Sequence, residues 1–136
     1  MAKYYFLLSF IVFACLFQEG NSCFIFPRVH VSIVNELPPK SEQFFLHCKS
    51  KDDDLGNHTV PVNQDFHFDF CVIPWATLFY CNLSWGKRAA SFEVYNGRWI
   101  SVPCQTGKSC VYEVRDDGIY LGDKFWNNWY CGDEVC

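Results

Sequence analysis

The sequence predicts an all-β protein: a single-domain antiparallel β-sandwich of about eight short strands, stapled by disulfides. Three observations carry that expectation. Apolar and polar residues alternate with period two in one segment after another, the pattern of a strand with one face on a core. Turn-forming residues fall between those segments. An even set of cysteines follows an apolar leader, as in small secreted domains that rely on cross-links.

The leader comes first. Lys3 is followed by residues 4–17, apolar or aromatic throughout except for Ser9. As a helix this stretch would be about 21 Å long, short of a bilayer's hydrocarbon core. A basic start, an apolar centre and the small residues Gly20 and Ser22 make it a secretory signal cut after Ser22. The expected division is residues 1–22 as signal peptide and 23–136 as one domain, secreted and extracellular. Of the nine cysteines, Cys15 lies in the leader. Cys23, Cys48, Cys71, Cys81, Cys104, Cys110, Cys131 and Cys136 remain, enough for four disulfides, whose connectivity spacing alone does not give.

The strands follow in order. Residues 28–35 put Val29, Val31 and Ile33 on one face. A strand is expected over 43–48 and another over 58–62. Residues 64–71 alternate most cleanly, with Phe66, Phe68 and Phe70 against His67 and Asp69. Residues 77–84 align Phe79, Cys81 and Leu83, and residues 89–96 align Phe92 and Val94. Further strands are expected over 99–102, 110–115 and 119–121. Breaks fall at Pro38 and Pro39, at residues 54–57, and at Ile73 and Pro74. They recur at Trp85 and Gly86, Asn96 and Gly97, and Thr106 and Gly107. Asp117 and Gly118 mark a tight hairpin. Most aromatics follow the alternation and belong to the core. Phe125, Trp126, Trp129 and Tyr130 depart from it, and are expected to cover an open end of the sandwich or to form a contact patch.

The net charge is −4, and the signal removes one charge of each sign, Lys3 and Glu19. With Lys87 and Arg88 as the only adjacent basic pair, no basic stripe exists, which argues against a nucleic-acid binder. No apolar run after the leader suits membrane insertion, and a monomer is expected.

Chemical motifs are sparse. Asp52, Asp53 and Asp54 lack the glycine and glutamate spacing of a helix–loop–helix calcium site, and consecutive side chains on extended chain point apart. No C-x₂-C pair and no H-E-x-x-H pattern is present, so neither metal nor cofactor is expected. A catalytic thiol would need an unpaired cysteine, and no G-x-S-x-G elbow exists. A two-histidine ribonuclease would require His47 and His67 to converge, whereas the alternation turns His67 to solvent. No catalytic residue is expected. Two glycosylation sequons stand at Asn57-His58-Thr59 and Asn82-Leu83-Ser84, the second on the face opposite Cys81.

One block is more specific. His47-Cys48-Lys49-Ser50-Lys51-Asp52-Asp53-Asp54-Leu55-Gly56 closely resembles the signature of the plant self-incompatibility S1 family, the S-protein homologues. Other elements resemble that family in the same order. They are Ile33-Val34-Asn35-Glu36-Leu37 after Val29 and Val31, Phe79-Tyr80-Cys81 followed by Trp85, Phe92-Glu93-Val94-Tyr95, and Val114-Arg115-Asp116-Asp117-Gly118-Ile119-Tyr120 after Cys104 and Cys110. One departure is Tyr112, where the family usually carries tryptophan; its hydroxyl needs water or a partner. For the shared cysteines the expected core bridges are Cys48–Cys110 and Cys81–Cys104. Cys23, Cys71, Cys131 and Cys136 are additional and tie down the termini.

The resemblance implies a compact secreted sandwich without enzymatic activity. Its best-known members are stigma-secreted determinants recognised by a pollen receptor. The expected function is therefore an extracellular ligand in plant cell–cell signalling, engaging a cell-surface receptor through loops. Lys51, Asp52, Asp53 and Asp54 form the candidate recognition loop, beside surfaces at 49–58, 73–76, 85–88 and 104–109. The alternative is a cell-wall carbohydrate-binding or defence module that uses Trp126 and Trp129.

Overall fold

The computed structural model describes residues 23–99, 104 and 109–136. The signal peptide over 1–22, the strand over 99–102 beyond Trp99, the turn at Thr106 and Gly107, and the loop over 104–109 apart from its two end residues lie outside the described residues. Among those described the strands are β1 Arg28–Asn35, β2 Phe44–Lys49, β3 Asp54–Val60, β4 Asp65–Cys71, β5 Leu78–Trp85, β6 Arg88–Asn96, β7 Ser109–Arg115, β8 Gly118–Leu121, β9 Lys124–Asn127, β10 Tyr130–Cys131 and β11 Glu134–Val135.

They form two sheets, ordered β4-β1-β7-β8-β9 and β11-β10-β6-β5-β2-β3. The core lies between them. Val29, Val31 and Ile33 of β1 and Tyr112 and Val114 of β7 face Phe44 and Leu46 of β2, Leu83 of β5 and Val94 of β6, all buried. Phe66, Phe68 and Phe70 point inward from the edge strand β4, and Phe70 meets Phe79 with ring centroids 4.4 Å apart. The polar partners Asp65, His67 and Asp69 face outward, which protects that edge from further pairing.

Within the otherwise antiparallel sandwich, β1 and β7 run parallel, His30 opposite Ser109 and Asn35 opposite Val114. Alternation specifies the face a side chain takes, not the direction of the neighbouring strand, so this pair had no sequence signal. β3 starts at Asp54 rather than at 58. The break expected at 54–57 is instead a strand with a ladder irregularity between His47 and Lys49, accommodated by Gly56 at φ +77°. In the β7–β8 hairpin Arg115 pairs with Gly118, so Asp116 and Asp117 make the turn. Gly118 has φ +150°, and a Cβ there would stand 2.7 Å from the Phe125 ring, which lies over it.

The cysteine pairing corrects the expectation. Cys48 bonds Cys81 and Cys104 bonds Cys110, not Cys48 with Cys110 and Cys81 with Cys104. Cys48 and Cys81 are direct cross-strand neighbours on the inward face of β2 and β5, whereas Cys110 belongs to the other sheet. The additional cysteines form Cys23–Cys71 and Cys131–Cys136 near the two ends of the described chain.

Two buried polar groups join the layers. Asn35, fully buried, donates from Nδ2 to the Val60 carbonyl at 2.7 Å and accepts the Leu37 N–H on Oδ1 at 3.0 Å. Its backbone bonds Gln64 O and Asn63 N, so one residue fastens the end of β1 to β3 and to the β3–β4 turn. Tyr112 donates its hydroxyl to Val94 O at 2.7 Å, linking β7 to the opposite sheet. That is the partner its hydroxyl required. Burial, helped by the nearby Glu93 charge, pushes its ionisation far above the ordinary tyrosine range.

Candidate functional site

The signature decapeptide spans the β2–β3 hairpin. Cys48 points into the core and His47 outward. Asp54 Oδ1 accepts the Gly56 N–H at 2.9 Å and contacts His47 Nε2 at 2.5 Å. The Gly56 amide, then His47, holds the Asp54 carboxyl below its ordinary value. His47, Asp54 and Gly56 are thus a brace across the bulged hairpin. Asp54, expected in the recognition loop, sits in β3 with its carboxylate engaged. The tip beyond the brace is closed by Ser50 N donating to Asp53 O at 2.7 Å and Asp53 N donating to Ser50 Oγ at 3.1 Å. These bonds consume backbone groups. The side chains of Lys51, Asp52 and Asp53 stand exposed, and among the described residues neither the Asp52 nor the Asp53 carboxylate has a partner.

Across from this tip lies the β4–β5 connection. Ile73 O accepts the N–H groups of Ala76 and Thr77, both at 3.1 Å, and Ile73 N donates to Thr77 Oγ1 at 2.8 Å. The winding puts Trp75 at φ +67°, a region that bulky residues avoid. Arg98 Nε donates to Trp75 O at 3.3 Å, and Gly97 packs so closely that an added Cβ would stand 3.2 Å from Trp75 N. These bonds hold the loop while Trp75 is 68% exposed. Between tip and loop opens a cleft of about 930 Å³ lined by Lys51, Asp52, Asp53, Trp75, Tyr80 and Arg98 among others. The Cys23–Cys71 bridge and a Val72 N–H to Pro27 O bond bring exposed Phe24, Ile25 and Phe26 to the same end.

Other expected features lie elsewhere. Trp129 is buried and donates its indole N–H to Arg115 O at 2.7 Å; half-buried Trp126 donates to Glu93 O at 3.2 Å and packs on Trp99. The aromatic platform expected from these two does not form, because both rings close the core. At 85–88, Arg88 stacks on Trp85 at 4.9 Å, at the opposite end of β5 from the cleft. His47 faces out from one sheet and His67 from the other, so the two do not converge. Among the described residues no cluster of three His, Cys, Asp or Glu is placed to hold a metal ion.

The model of the family described as "Plant self-incompatibility protein S1" matches residues 30–131. The chain belongs to the S1 family. Its relatives include S-protein homolog 5 of Arabidopsis thaliana, 41% identical over 81 residues, a match covering 58% of this chain and 61% of that protein. Self-incompatibility protein S1 of Papaver rhoeas is 32% identical over 121 residues, covering 88% and 85%. Among solved structures, an SPH (self-incompatibility protein homologue) protein superimposes with a TM-score of 0.62 at 20% identity, covering 77% of this chain and 96% of its own. That protein is described as one of a widespread family of small, highly stable, secreted plant proteins.

S1-family membership puts the chain among secreted, extracellular plant proteins and accounts for the sandwich. The geometry gives the family-like residues physical roles. His47, Asp54 and Gly56 shape a hairpin, Asn35 ties three backbone segments, and Cys48 anchors to Cys81. The surface at 73–76 was among those expected, but no local pattern signals the left-handed Trp75 or the Gly97 contact beneath it. Gly56, inside the charged run, was the available hint that Asp54 would be held rather than free.

Proposed function

We propose that this protein is a secreted ligand in plant cell–cell signalling, bound by a cell-surface receptor protein at the cleft between the β2–β3 tip and the Trp75 loop. Pollen–pistil self-incompatibility is the form of signalling for which its Papaver relative is named. The observation that carries the reading is Trp75, largely exposed and held in left-handed backbone beside two carboxylates that have no partner among the described residues. Unfavourable backbone persists where the surroundings enforce it, and such places concentrate at binding sites. An exposed tryptophan supplies a large anchor area, of the kind that dominates protein interfaces. Asp52 and Asp53 would steer a partner's cationic side chain toward that anchor and set orientation. Recognition of this kind needs no chemical step by the ligand.

Binding of the labelled, fully oxidised protein to intact pollen tubes and to other plant cells tests the reading. Saturable binding that protease treatment of the cells abolishes supports it. Binding that does not saturate, or that survives protease, contradicts it. The carbohydrate reading gains one specific observation, since the open indole of Trp75, rather than Trp126 or Trp129, offers a face for a sugar. Retention on wall polysaccharide that protease treatment leaves intact would favour it.

A further inference from the structure

β2 carries a second pattern on its outward face. His47 lies between Asn57 of β3 and Asn82 of β5, and Phe45 lies between Thr59 and Ser84 of the same two strands. Asn57 with Thr59, and Asn82 with Ser84, are the two sequons. The fold therefore sets both in register on either side of one strand. With strands about 4.8 Å apart, the two asparagine backbones stand roughly 10 Å apart. Asn57, Thr59, Asn82 and Ser84 are all exposed. Asn82 accepts a bond from Ser91 Oγ on Oδ1 at 2.7 Å, and its Nδ2 has no partner among the described residues. At the centre Phe45 is 51% exposed, in a shallow depression of about 400 Å³ that also includes His47, Asn57, Asn82 and Ser84.

We propose that Asn57 and Asn82 both carry N-linked glycans whose first sugars pack on Phe45, so that the outward face of the six-stranded sheet is a glycan-covered face. Each asparagine is a diagonal cross-strand neighbour of Phe45, a separation of about 7 Å that an aromatic side chain and a sugar ring together bridge. The surrounding Thr59, Ser84, Ala89 and Ser91 are uncharged, so covering these four desolvates no ion, and His47 in the same depression has its Nε2 already engaged by the Asp54 carboxylate. In the modification, Nδ2 forms a bond to the anomeric carbon of an oligosaccharide carried on a lipid pyrophosphate of the secretory pathway. The carbon–oxygen bond to that carrier breaks, the lipid pyrophosphate leaves with the electron pair, and the amide gives up one proton. Secretion brings the chain to that donor, and the exposed apolar ring of Phe45 acquires a partner.

The test uses the full chain secreted from plant cells. Intact mass is expected to show two N-glycans. One disappears in Asn57→Gln and equally in Thr59→Val, the other in Asn82→Gln and equally in Ser84→Ala, so that a folding defect in one variant does not decide the result. Phe45→Ser is expected to lower the thermal midpoint of the glycosylated protein by about 4 °C or more, and that of the Thr59→Val/Ser84→Ala protein by no more than about 1 °C. Occupancy of one asparagine or neither overturns the two-glycan face. Two glycans with equal Phe45→Ser shifts in both backgrounds overturns the packing on Phe45.

Discussion

Replacing Asn35 by aspartate keeps the shape of the side chain and reverses one hydrogen bond. Nδ2 donates to Val60 O at 2.7 Å in a fully buried site, and Oδ1 already accepts from Leu37 N. An ionised carboxylate would put an acceptor against that carbonyl and bury a charge without a counter-ion. The protonated acid would restore the donor, so the penalty is capped by the free energy of protonating the side chain. From an ordinary carboxyl value near 3.9, that is about 4 kcal/mol at about pH 7, falling by about 1.4 kcal/mol per pH unit. The folded-state value of the introduced group is raised, so the loss is largest above that value and disappears as pH falls below the unfolded one. Urea unfolding of Asn35→Asp beside the unsubstituted protein is expected to show a loss of about 3–4 kcal/mol at about pH 7 and within about 1 kcal/mol at about pH 4. Asn35→Ala, which cannot donate at any pH, is expected to lose about 3 kcal/mol at both. Equal losses at the two pH values for Asn35→Asp, or a loss under about 1 kcal/mol near neutrality, would refute the role given to Nδ2.

Tyr112→Phe is expected to cost about 1–2 kcal/mol through the unpaired Val94 carbonyl. Because the tyrosine's folded-state ionisation is raised, the stability lost by the unsubstituted protein above about pH 10 should be smaller in that variant, as read by alkaline denaturation. Asp54 has the opposite sign. Its lowered value contributes stability that is present above its ordinary 3.8 and is lost as pH falls through the folded value. Acid titration of Asp54→Asn should therefore show a flatter acid limb. At Gly118 an added methyl group would meet the Phe125 ring at 2.7 Å in backbone at φ +150°, so Gly118→Ala should lose about 2 kcal/mol or more in thermal unfolding.

The strands were legible because burial of one face writes a period of two. Val29, Val31 and Ile33, and Phe66, Phe68 and Phe70, lie on inward faces as the alternation indicates. What was not legible depends on relations between distant segments. The parallel β1–β7 pair, the Cys48–Cys81 bridge across adjacent strands and the Gly97 contact beneath Trp75 leave no local pattern. β9, β10 and β11 were missed because each is too short to show alternation. The candidate site was half visible. Lys51, Asp52 and Asp53 stand exposed as the charged run indicates, but Asp54 is drawn into the brace by His47 and the Gly56 amide. Trp126 and Trp129, conspicuous in sequence, turn inward because their indole N–H groups reach backbone carbonyls at the sandwich rim.

The central claim, that the cleft end is the receptor-binding surface, is tested most directly by the affinity of Trp75→Gly for the cell surface that binds the unsubstituted protein. Glycine accepts φ +67° without strain and little indole area is buried, so the thermal midpoint should shift by only a few degrees, about 5 °C at most. Removal of a central tryptophan anchor should weaken saturable binding tenfold or more, at about 1.4 kcal/mol per factor of ten. Unchanged affinity in a protein of unchanged stability would place the receptor contact elsewhere on the sandwich and contradict the claim.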